Sequence, residues 1–353
     1  MISELNELKK FWKGKKVFIT GHTGFKGTWL SVFLNLLGAR LYGYSLKPEK
    51  NSLFKKIFCK KLYRKETYAD ISNFNLLKKK ILQSKAEIIF HLAAQPLVIE
   101  SYKKPITTFK TNIYGTINLL EVLRSSINIK SVVIVTTDKV YKTNKNNLSL
   151  NEDNELGGGD PYSASKVCKE IIVESYNESF FKKKNKINIS TVRSGNVLGG
   201  GDYSKNRIIP DIIEAIKNKK KLIIRNPKYV RPWQHVIEPL TGYLILAQKQ
   251  YNNKLKKIDN KWNFGPQKKN FITVEDIVKK INKLQKIKQI EYRKSKYTET
   301  RKIILDSKKA KKKLNWRSRL KIDDIIKNII EIEFSNNNNF KNIMEKQIVK
   351  YFY

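Results

Sequence analysis

The segment KKVFITGHTGFKG, residues 15–27, joins a short apolar run to glycines at GxxGxxG spacing. The run VFI is continuously apolar, as in a strand that is buried on both faces of a parallel sheet. A second apolar segment, TWLSVFLNLL, follows the glycines and predicts a helix. Glycine at such a strand-to-helix turn lets the backbone approach a pyrophosphate, whose charge then lies at the positive end of the helix. The segment therefore predicts a strand–loop–helix unit with a dinucleotide site at Gly21, Gly24 and Gly27.

The same alternation of strand and helix patterns continues along the chain as far as about residue 195. Apolar strand cores recur in AEIIFHLAA, SVVIVTT and INISTVRSG, with helical patterns between them. This alternation predicts an α/β fold with a doubly wound parallel sheet. Beyond residue 195 the chain breaks into pieces punctuated by Gly and Pro, such as RNPKYVRPWQHV. We expect a dinucleotide-binding domain over 1–195 and a smaller lobe mostly over 196–353, some of whose segments return to the sheet.

The chain is strongly basic, with 72 Lys and Arg against 31 Asp and Glu and a formal charge of +41 over 353 residues. Such a charge is typical of proteins that bind nucleic acid or another anionic surface. The lysines are spread through the whole chain among Asn and Ile, however, which favours a solvated lysine surface. We expect no nucleic-acid partner. Lysines clustered on one face would favour the nucleic-acid alternative.

Cysteine spacing and hydropathy argue against disulfide-linked, metal-binding and membrane-spanning classes of protein. Cys59 and Cys168 are far apart and form no CxxC pair, so we expect neither a disulfide nor a metal site. No segment reaches the roughly 18 uninterrupted apolar residues of a membrane helix, and the first residues have no apolar leader. We therefore expect a soluble, cytoplasmic protein without a membrane partner.

Two late segments predict local structure. The segment TVEDIVKKINKLQ predicts a helix whose first turn carries a capping box, because Thr273 and Asp276 stand three residues apart. The segment SNNNNF, 335–340, predicts a loop that is followed by a weakly packed tail.

Further segments extend the predicted dinucleotide site. YADISN places Asp70 where an acid can meet the adenine amino group, and the small residues of HLAAQ allow close passage of a dinucleotide. The segment RLYGYSLKP has no acid to hold the adenosine ribose, so this position does not decide between NAD and NADP. The expected cofactor contacts are Gly21, Gly24, Phe25, Gly27, Asp70, Ile71, Leu92, Ala93 and Ala94, together with Tyr162 and Lys166.

A candidate catalytic group follows from YSASK, residues 162–166, and VTTDKVY, residues 135–141. Tyr162 and Lys166 are spaced i, i+4 and so lie one turn apart on the same helix face. Free tyrosine has a pKa of about 10, and a neighbouring ammonium favours the phenolate. Thr137, at the end of a buried strand, is suited to hydrogen-bond a substrate oxygen. In isolation YxxxK is common by chance, but together with a glycine loop it predicts a catalytic pair.

TGxxGxxG, the strand-end Thr137 and YSASK together resemble the extended short-chain dehydrogenase/reductase superfamily over nearly the whole chain. TTDKVY, LGGGDPYSASK, RSGNVLGGGDY and RNPKYVRPWQHVIEPLTGYL are similar to the CDP-glucose 4,6-dehydratase branch of it. The resemblance implies a Rossmann domain with a C-terminal nucleotide-sugar lobe and bound NAD. It also implies conversion of CDP-glucose to its 4-keto-6-deoxy product in deoxysugar synthesis. Helices at 105–126 and 163–181 would pair in a homodimer as a four-helix bundle.

The resemblance also implies catalytic roles. Tyr162 would remove the proton of the sugar O4 while hydride passes from C4 to NAD, and the ketone so formed would acidify the C5 proton. Asp138 would be the acid for the departing C6 hydroxyl. Lys139 stands where related dTDP-glucose dehydratases carry a Glu base, so it would take the C5 proton. That role requires a lysine pKa below the usual value of about 10.4.

The substrate diphosphate requires cationic or amide partners. Arg207, Arg225 and Arg231 lie in Gly- and Pro-rich segments, from which a guanidinium can bind phosphate. Asn196 resembles a substrate-contacting asparagine of the family, although a role in a turn explains it equally well. We expect substrate contacts from Gln95, Asn196, Arg207 and Arg231 and assign no catalytic role to His22 or His235. A 4-epimerase or reductase acting on another nucleotide sugar stays an alternative.

Overall fold

A computed structural model of the protein describes residues 2–57, 62–142, 149–181, 187–204, 207–256, 259–293, 303–335 and 339–353. The strands are β1 (Lys16–Thr20), β2 (Arg40–Ser45), β3 (Tyr63–Tyr68), β4 (Ile88–His91), β5 (Ser131–Val135), β6 (Asn188–Ser194), β7 (Val197–Leu198), β8 (Lys221–Arg225), β9 (Val230–Pro232), β10 (Gln234–His235), β11 (Lys261–Phe264), β12 (Phe271–Thr273) and β13 (Gln289–Arg293). The helices are α1 (Ile2–Trp12), α2 (Phe25–Leu36), α3 (Leu53–Ile57), α4 (Phe74–Ser84), α5 (Val98–Lys103), α6 (Pro105–Phe109), α7 (Gly115–Arg124), α8 (Pro161–Tyr176), α9 (Ile208–Lys217), α10 (Ile237–Tyr251), α11 (Val274–Leu284), α12 (Lys308–Leu314), α13 (Ile322–Glu333) and α14 (Phe340–Lys350). A π-helical turn, Lys110–Tyr114, joins α6 to α7, and another, Asn177–Phe181, extends α8.

Seven strands form one parallel sheet in the order β11-β6-β5-β4-β1-β2-β3. The strand order reverses between β1 and β4, where an open α/β sheet leaves a crevice at the carboxyl ends of its strands. The prediction of a doubly wound parallel sheet is confirmed. A later segment, β11, pairs with β6 and completes one edge of the sheet.

Each central strand is buried on both faces, which explains its continuous apolar run. In β1, Val17 and Ile19 belong to one apolar cluster, whereas Phe18 belongs to the cluster on the opposite face. The same alternation separates Val133 from Ile134 in β5. Two helical layers therefore cover the sheet, and they leave its carboxyl edge as the accessible crevice.

A third apolar cluster holds the smaller lobe together. It packs α9, α11 and α13 around the buried side chains of Ile212, Trp233, Ile277 and Ile325. Short strand pairs frame it, β8 with β13 and β9 with β12. The capping box predicted for α11 is confirmed, because Asp276 N donates to Thr273 Oγ1 at 3.0 Å and Thr273 N donates to Asp276 Oδ2 at 3.1 Å.

The expectation of a weakly packed tail is wrong. Residues 339–350 continue into α14, whose Met344 and Ile348 are fully buried, and Phe352 behind them packs against Phe33 of α2 at a ring distance of 6.1 Å. These three residues recur every fourth position and so form one helical stripe. Residues 336–338 of the predicted loop lie outside the described residues.

The described residues also bear on membrane spans, metal sites and cysteines. Within the described ranges, no helix combines the length and apolarity needed to cross a bilayer. The same residues contain no group of three His, Cys, Asp or Glu side chains arranged to hold a metal ion. Cys168 is a free thiol, and Cys59 lies outside the described residues.

Candidate active site

The glycine-rich turn between β1 and α2 is shaped by close backbone approach. Gly21 has φ +74°, and a Cβ there would lie 2.6 Å from the backbone nitrogen of Ala93. A Cβ at Gly27 would overlap the carbonyl oxygen of Gly21. Gly24, the N-cap of α2, has only the Gly21 oxygen in ordinary contact at 3.4 Å, so its outer side is open. An open turn at a helix N-terminus fits the diphosphate of a dinucleotide.

The other predicted cofactor residues line the carboxyl ends of neighbouring strands. Leu92 and Ala93 follow β4 and donate their backbone N–H groups to Thr20, at 3.0 Å and 3.3 Å. Asp70 is exposed and accepts a hydrogen bond from the backbone of Ser72 at 2.7 Å. Ile71 beside it is buried. Contacts of these residues, and of Phe25 and Ala94, with a cofactor stay predictions.

A carboxylate approaches the glycine turn from β3, a strand that was not predicted. Glu66 Oε1 lies 3.0 Å from His22 Nε2 and also accepts from the hydroxyl of Tyr68 at 3.2 Å. No acid follows β2, as the sequence indicated. The buried His22 imidazole therefore serves as a structural partner of Glu66. His235 is likewise structural, because burial lowers its pKa to about 3 and its Nδ1 accepts from the backbone of Ile237.

Tyr162 and Lys166 lie on the first two turns of α8. Local sequence features determine where this helix begins. Asp160 caps the helix by accepting from Ser163 N at 2.9 Å, and Pro161 occupies the first helical position. The Lys166 ammonium lies 5.8 Å from the centre of the Tyr162 ring. Burial lowers the pKa of Lys166 to about 8, against the opposing effect of Glu170.

The Tyr162 hydroxyl faces the turn that follows β5. Burial raises the pKa of Tyr162 to about 12, while hydrogen bonding with Thr137 and the charge of Arg207 act in the opposite direction. The expected lowering of this pKa is thus absent in the free protein. A phenolate at neutral pH requires positive charge or hydrogen bonds that arrive with the ligands.

Asp138 is the buried acid of the site. It is 6% exposed, and Thr137 Oγ1 donates to its Oδ1 at 3.0 Å. Burial raises the pKa of Asp138 despite the nearby charges of Lys139 and Arg231. This direction favours the protonated carboxyl that a general acid needs. Lys139 follows on the same turn and is partly buried.

The predicted substrate residues differ in how much of their bonding capacity the protein uses. Gln95 is engaged within its own loop, because its amide donates to Thr108 and Leu97 and accepts from Leu97 N. Arg207 pairs with Asp202 at 3.1 Å, and Arg225 lies 3.9 Å from Asp211. The Arg231 guanidinium stacks 5.2 Å from the ring centre of Tyr229. The Asn196 side chain is exposed, while its backbone oxygen accepts from Gln234 N.

A side chain that no sequence pattern marked connects the loop of Gln95 to helix α8. Asn112, in the π-helical turn, accepts from Gln95 N at 2.9 Å and donates to Ser165 Oγ at 2.8 Å, which ties the β4 loop to α8. π-Helical turns are frequent at functional sites. No local pattern marked Asn112, because both partners are distant in sequence.

A buried ion pair stabilises the segment that follows β5. Arg193 of β6 donates to Glu170 through Nε at 2.9 Å and Nη2 at 3.0 Å, and its Nη1 donates to Tyr141 Oη at 2.7 Å. Glu170 also accepts from Thr136 at 2.6 Å. Although burial alone would raise it, the Arg193 charge and these hydrogen bonds hold the pKa of Glu170 below its ordinary value. The pair therefore joins α8, β6 and the segment after β5.

Comparison with known proteins agrees with this geometry. Residues 18–329 match the family model described as GDP-mannose 4,6 dehydratase. The chain is 42% identical over 278 residues to the CDP-glucose 4,6-dehydratase of Salmonella typhimurium, covering 77% of each chain. It is 33% identical over 190 residues to the dTDP-D-glucose 4,6-dehydratase of Dictyostelium discoideum, covering 47% of this chain and 41% of that one.

Solved structures show the same fold. The dTDP-glucose 4,6-dehydratase of Bacillus anthracis, solved in complex with NAD, superposes with a TM-score of 0.77 at 22% identity, over 94% of this chain and all of the other. An epimerase of Methanothermobacter thermautotrophicus reaches a TM-score of 0.81 at 18% identity, over 96% and 97% of the two chains. The family resemblance inferred from the sequence motifs is confirmed. The chain belongs to the GDP-mannose 4,6 dehydratase family of the extended short-chain dehydrogenase/reductase superfamily.

Proposed function

We propose that the protein is an NAD-dependent nucleotide-sugar 4,6-dehydratase, a hydro-lyase that converts CDP-glucose to CDP-4-keto-6-deoxyglucose and water. The proposal rests on one observation above all, the buried Asp138 carboxyl on the turn beside Tyr162, with burial raising its pKa. An epimerase needs no acid to expel a hydroxyl, whereas a dehydratase does. The 42% identity to a CDP-glucose 4,6-dehydratase over 77% of both chains supports the same reaction and substrate.

The glycine turn supports NAD as the cofactor. Its open side at Gly24 lies at the N-terminus of α2, where backbone N–H groups and the helix dipole favour a diphosphate. When bound, NAD would supply the redox chemistry, by taking hydride from the sugar C4 and returning it to C6. Gly21, Gly24 and Gly27 would hold its diphosphate, and Asp70 its adenine. A pyrophosphate can approach this turn because no side chain projects from Gly24.

Tyr162 starts the reaction as the base at the sugar O4. Thr137 hydrogen-bonds the Tyr162 oxygen and so favours the phenolate, as does the positive charge of Arg207. Lys166 adds a further cation one helical turn away. Tyr162 takes up the O4 proton as C4 becomes a ketone. Because the product remains a ketone, this proton passes from Tyr162 to solvent, and Asp138 regains a proton from solvent after water has left.

Asp138 and Lys139 then act on the neighbouring carbons. The C4 ketone acidifies the C5 hydrogen, and Lys139 takes it as a proton. Asp138 donates its proton to the C6 hydroxyl, the C6–O bond breaks, and water leaves. After hydride return to C6, Lys139 gives its proton back to C5. Asp138 is suited to this step because burial raises its pKa and so favours the protonated carboxyl that donates a proton.

Arginines and an amide would orient the substrate. Arg207 and Arg231 act electrostatically on Tyr162 and Asp138, respectively, which supports contact with a diphosphate next to the reacting sugar. The exposed Asn196 side chain can satisfy further oxygens. Gln95 would shape the loop rather than bind through its amide, because its loop already uses that amide. We accordingly assign residues 1–195 mainly to the cofactor and 196–353 mainly to the substrate, with β11 returning to the sheet.

We also propose a homodimer through a four-helix bundle. The segments 105–126 and 163–181 pack on each other within one chain, α6 against α8. They expose large apolar side chains, among them Ile106, Tyr114 and Ile171 with 82%, 62% and 54% of their surface accessible. Apolar side chains exposed together mark association surfaces. The cytoplasmic location and a role in deoxysugar synthesis stay predictions.

A substrate screen tests the reaction and the nucleotide together. The purified protein is incubated with NAD and, separately, with CDP-glucose, dTDP-glucose or UDP-glucose, and the loss of one water is followed by mass spectrometry. Loss from CDP-glucose alone is expected. Loss from another nucleotide sugar would retain the reaction and overturn the cytidine assignment. No loss from any of them, with NAD bound, would favour an epimerase or reductase.

A further inference from the structure

Lys26 is a lysine of the glycine-rich turn that the proposed reaction does not use. It is the second residue of α2, between Gly24 and Gly27. Its Nζ donates to Ser194 Oγ, at the carboxyl end of β6, at a distance of 2.9 Å. In the sheet, β4 and β5 separate β1 from β6. The Lys26 side chain therefore spans the crevice between the cofactor turn and the strand end that leads into the substrate lobe.

The surroundings of Lys26 disfavour a permanent positive charge. Ser194 Oγ also accepts from the hydroxyl of Tyr243 at 3.1 Å. Burial, followed by the charges of Arg207 and Lys166, lowers the pKa of Lys26 to about 7, while Asp138 opposes this. A cation in the first turn of α2 also opposes the helix dipole. The free site thus lacks an anion strong enough to hold the ammonium, at the place where a diphosphate is expected.

We propose that Lys26 is a cofactor-binding residue whose amine takes up a proton when the dinucleotide's diphosphate enters the glycine-rich turn. The inference rests on the proposed function, because it requires that a dinucleotide binds. A diphosphate near an amine stabilises the ammonium by charge-assisted hydrogen bonding and by direct attraction. Lys26 then links occupancy of the cofactor turn to the charge next to Asp138.

The linkage fixes the direction of the pH effect. Below about pH 7 Lys26 is charged in both the free and the bound protein, so cofactor affinity does not change through this group. Between its pKa in the free protein and the higher value in the complex, the bound state holds more protons. Affinity for NAD therefore falls as pH rises, by up to about tenfold per pH unit.

Calorimetric titration of the full chain with NAD at pH 8 tests the proposal. Repeating it in buffers of different ionisation enthalpy gives the number of protons taken up. The wild type should take up as much as about nine-tenths of a proton more than the Lys26→Met variant, because an amine with a pKa of about 7 is only about one-tenth protonated at pH 8 in the free protein. Lys166, whose pKa is about 8, remains in both proteins, so the difference isolates Lys26. Lys327→Met, at an exposed position of α13, is the control and should match the wild type.

A second variant covers the case in which Lys26→Met fails to fold. Lys26→Arg keeps a permanent charge, so its NAD affinity should lack the Lys26-dependent fall between pH 7 and pH 9. Equal proton uptake in wild type and Lys26→Met, or an unchanged pH dependence in Lys26→Arg, would overturn the role of Lys26 alone. Absence of NAD binding to the wild type would overturn the proposed cofactor as well.

Discussion

Asp138 shows how burial converts an ordinary carboxyl into a candidate acid. Its carboxyl accepts from Thr137 and lies close to Lys139 and Arg231, all of which favour the ionised form, yet burial raises its pKa. The family resemblance in the sequence implied that Asp138 acts as the acid, but the sequence did not indicate how deeply its carboxyl is buried. Its depth in the protein is a property of the folded chain.

Replacing Asp138 by Asn tests the division of labour at the site. We expect water loss to fall by about 10²- to 10⁴-fold, because the departing hydroxyl loses its proton donor. NADH formation from C4 oxidation should persist, measured as absorbance in a single turnover. In the wild type, the elimination step should slow as pH rises through the Asp138 pKa, since only the protonated carboxyl is competent.

The matched control is Asp153→Asn, which changes an exposed carboxyl outside the site. It should leave both stages unchanged. Loss of C4 oxidation in Asp138→Asn, in step with water loss, would contradict a specific role as acid.

Lys169 is a buried lysine without a hydrogen-bond partner among the described residues. Burial, followed by the charge of Lys166, lowers its pKa well below the ordinary value, and Glu170 opposes this only in part. The unfolded chain therefore binds more protons than the native one between the two pKa values. Native stability should rise with pH over that interval through this residue.

Replacing Lys169 by Met should stabilise the protein by about 1–3 kcal/mol at pH 7, because a buried polar group without a partner is removed. Urea denaturation at pH 7 and pH 9 measures this. The advantage of the variant should be smaller at pH 9, because the proton that Lys169 loses on folding costs less free energy to remove at the higher pH. An equal advantage at both pH values would contradict the assigned cause.

Helix α11 is an element whose start is predicted by local sequence rules. The three-residue spacing of Thr273 and Asp276 predicted its start, and both reciprocal hydrogen bonds of the capping box are present. The edge strand β3 was missed, because half of its residues are exposed and it carries no apolar run. Elements that one short segment stabilises are predictable, whereas an edge strand depends on its neighbour.

Removing the cap by Thr273→Ala should lower the free energy of unfolding by about 1 kcal/mol. Hydrogen bonds from Thr273 lower the pKa of Asp276, so this contribution is present at neutral pH and is lost as pH falls through that pKa. Urea denaturation at pH 7 is the measurement. Thr273→Ser retains the hydroxyl and should restore most of the stability; failure to do so would assign the loss to the methyl group instead.

At the scale of the whole molecule, the apolar side chains exposed on α6 to α8 support the proposed dimer. Ile106→Asp should shift the protein from dimer to monomer in sedimentation velocity, because a charge would be buried in the interface. Ile127, with 94% of its surface accessible, lies just outside the two helical segments, so Ile127→Asp is the control and should stay dimeric. A wild-type protein that sediments as a monomer would contradict the dimer itself.

Short-range patterns were sufficient for the strand cores, the glycine turn, the Tyr162–Lys166 pair and the cap of α11. In each case the deciding interactions lie within one strand, one turn or one helical face, so their spacing appears directly in the sequence. The tertiary structure alone decided that β11 returns beside β6 and that Arg193 pairs with Glu170. It also brought Lys26 to Ser194, 168 positions away. Burial and charge depend on neighbours that the chain supplies only when it folds, and these two quantities set the pKa values on which the chemistry of the site depends.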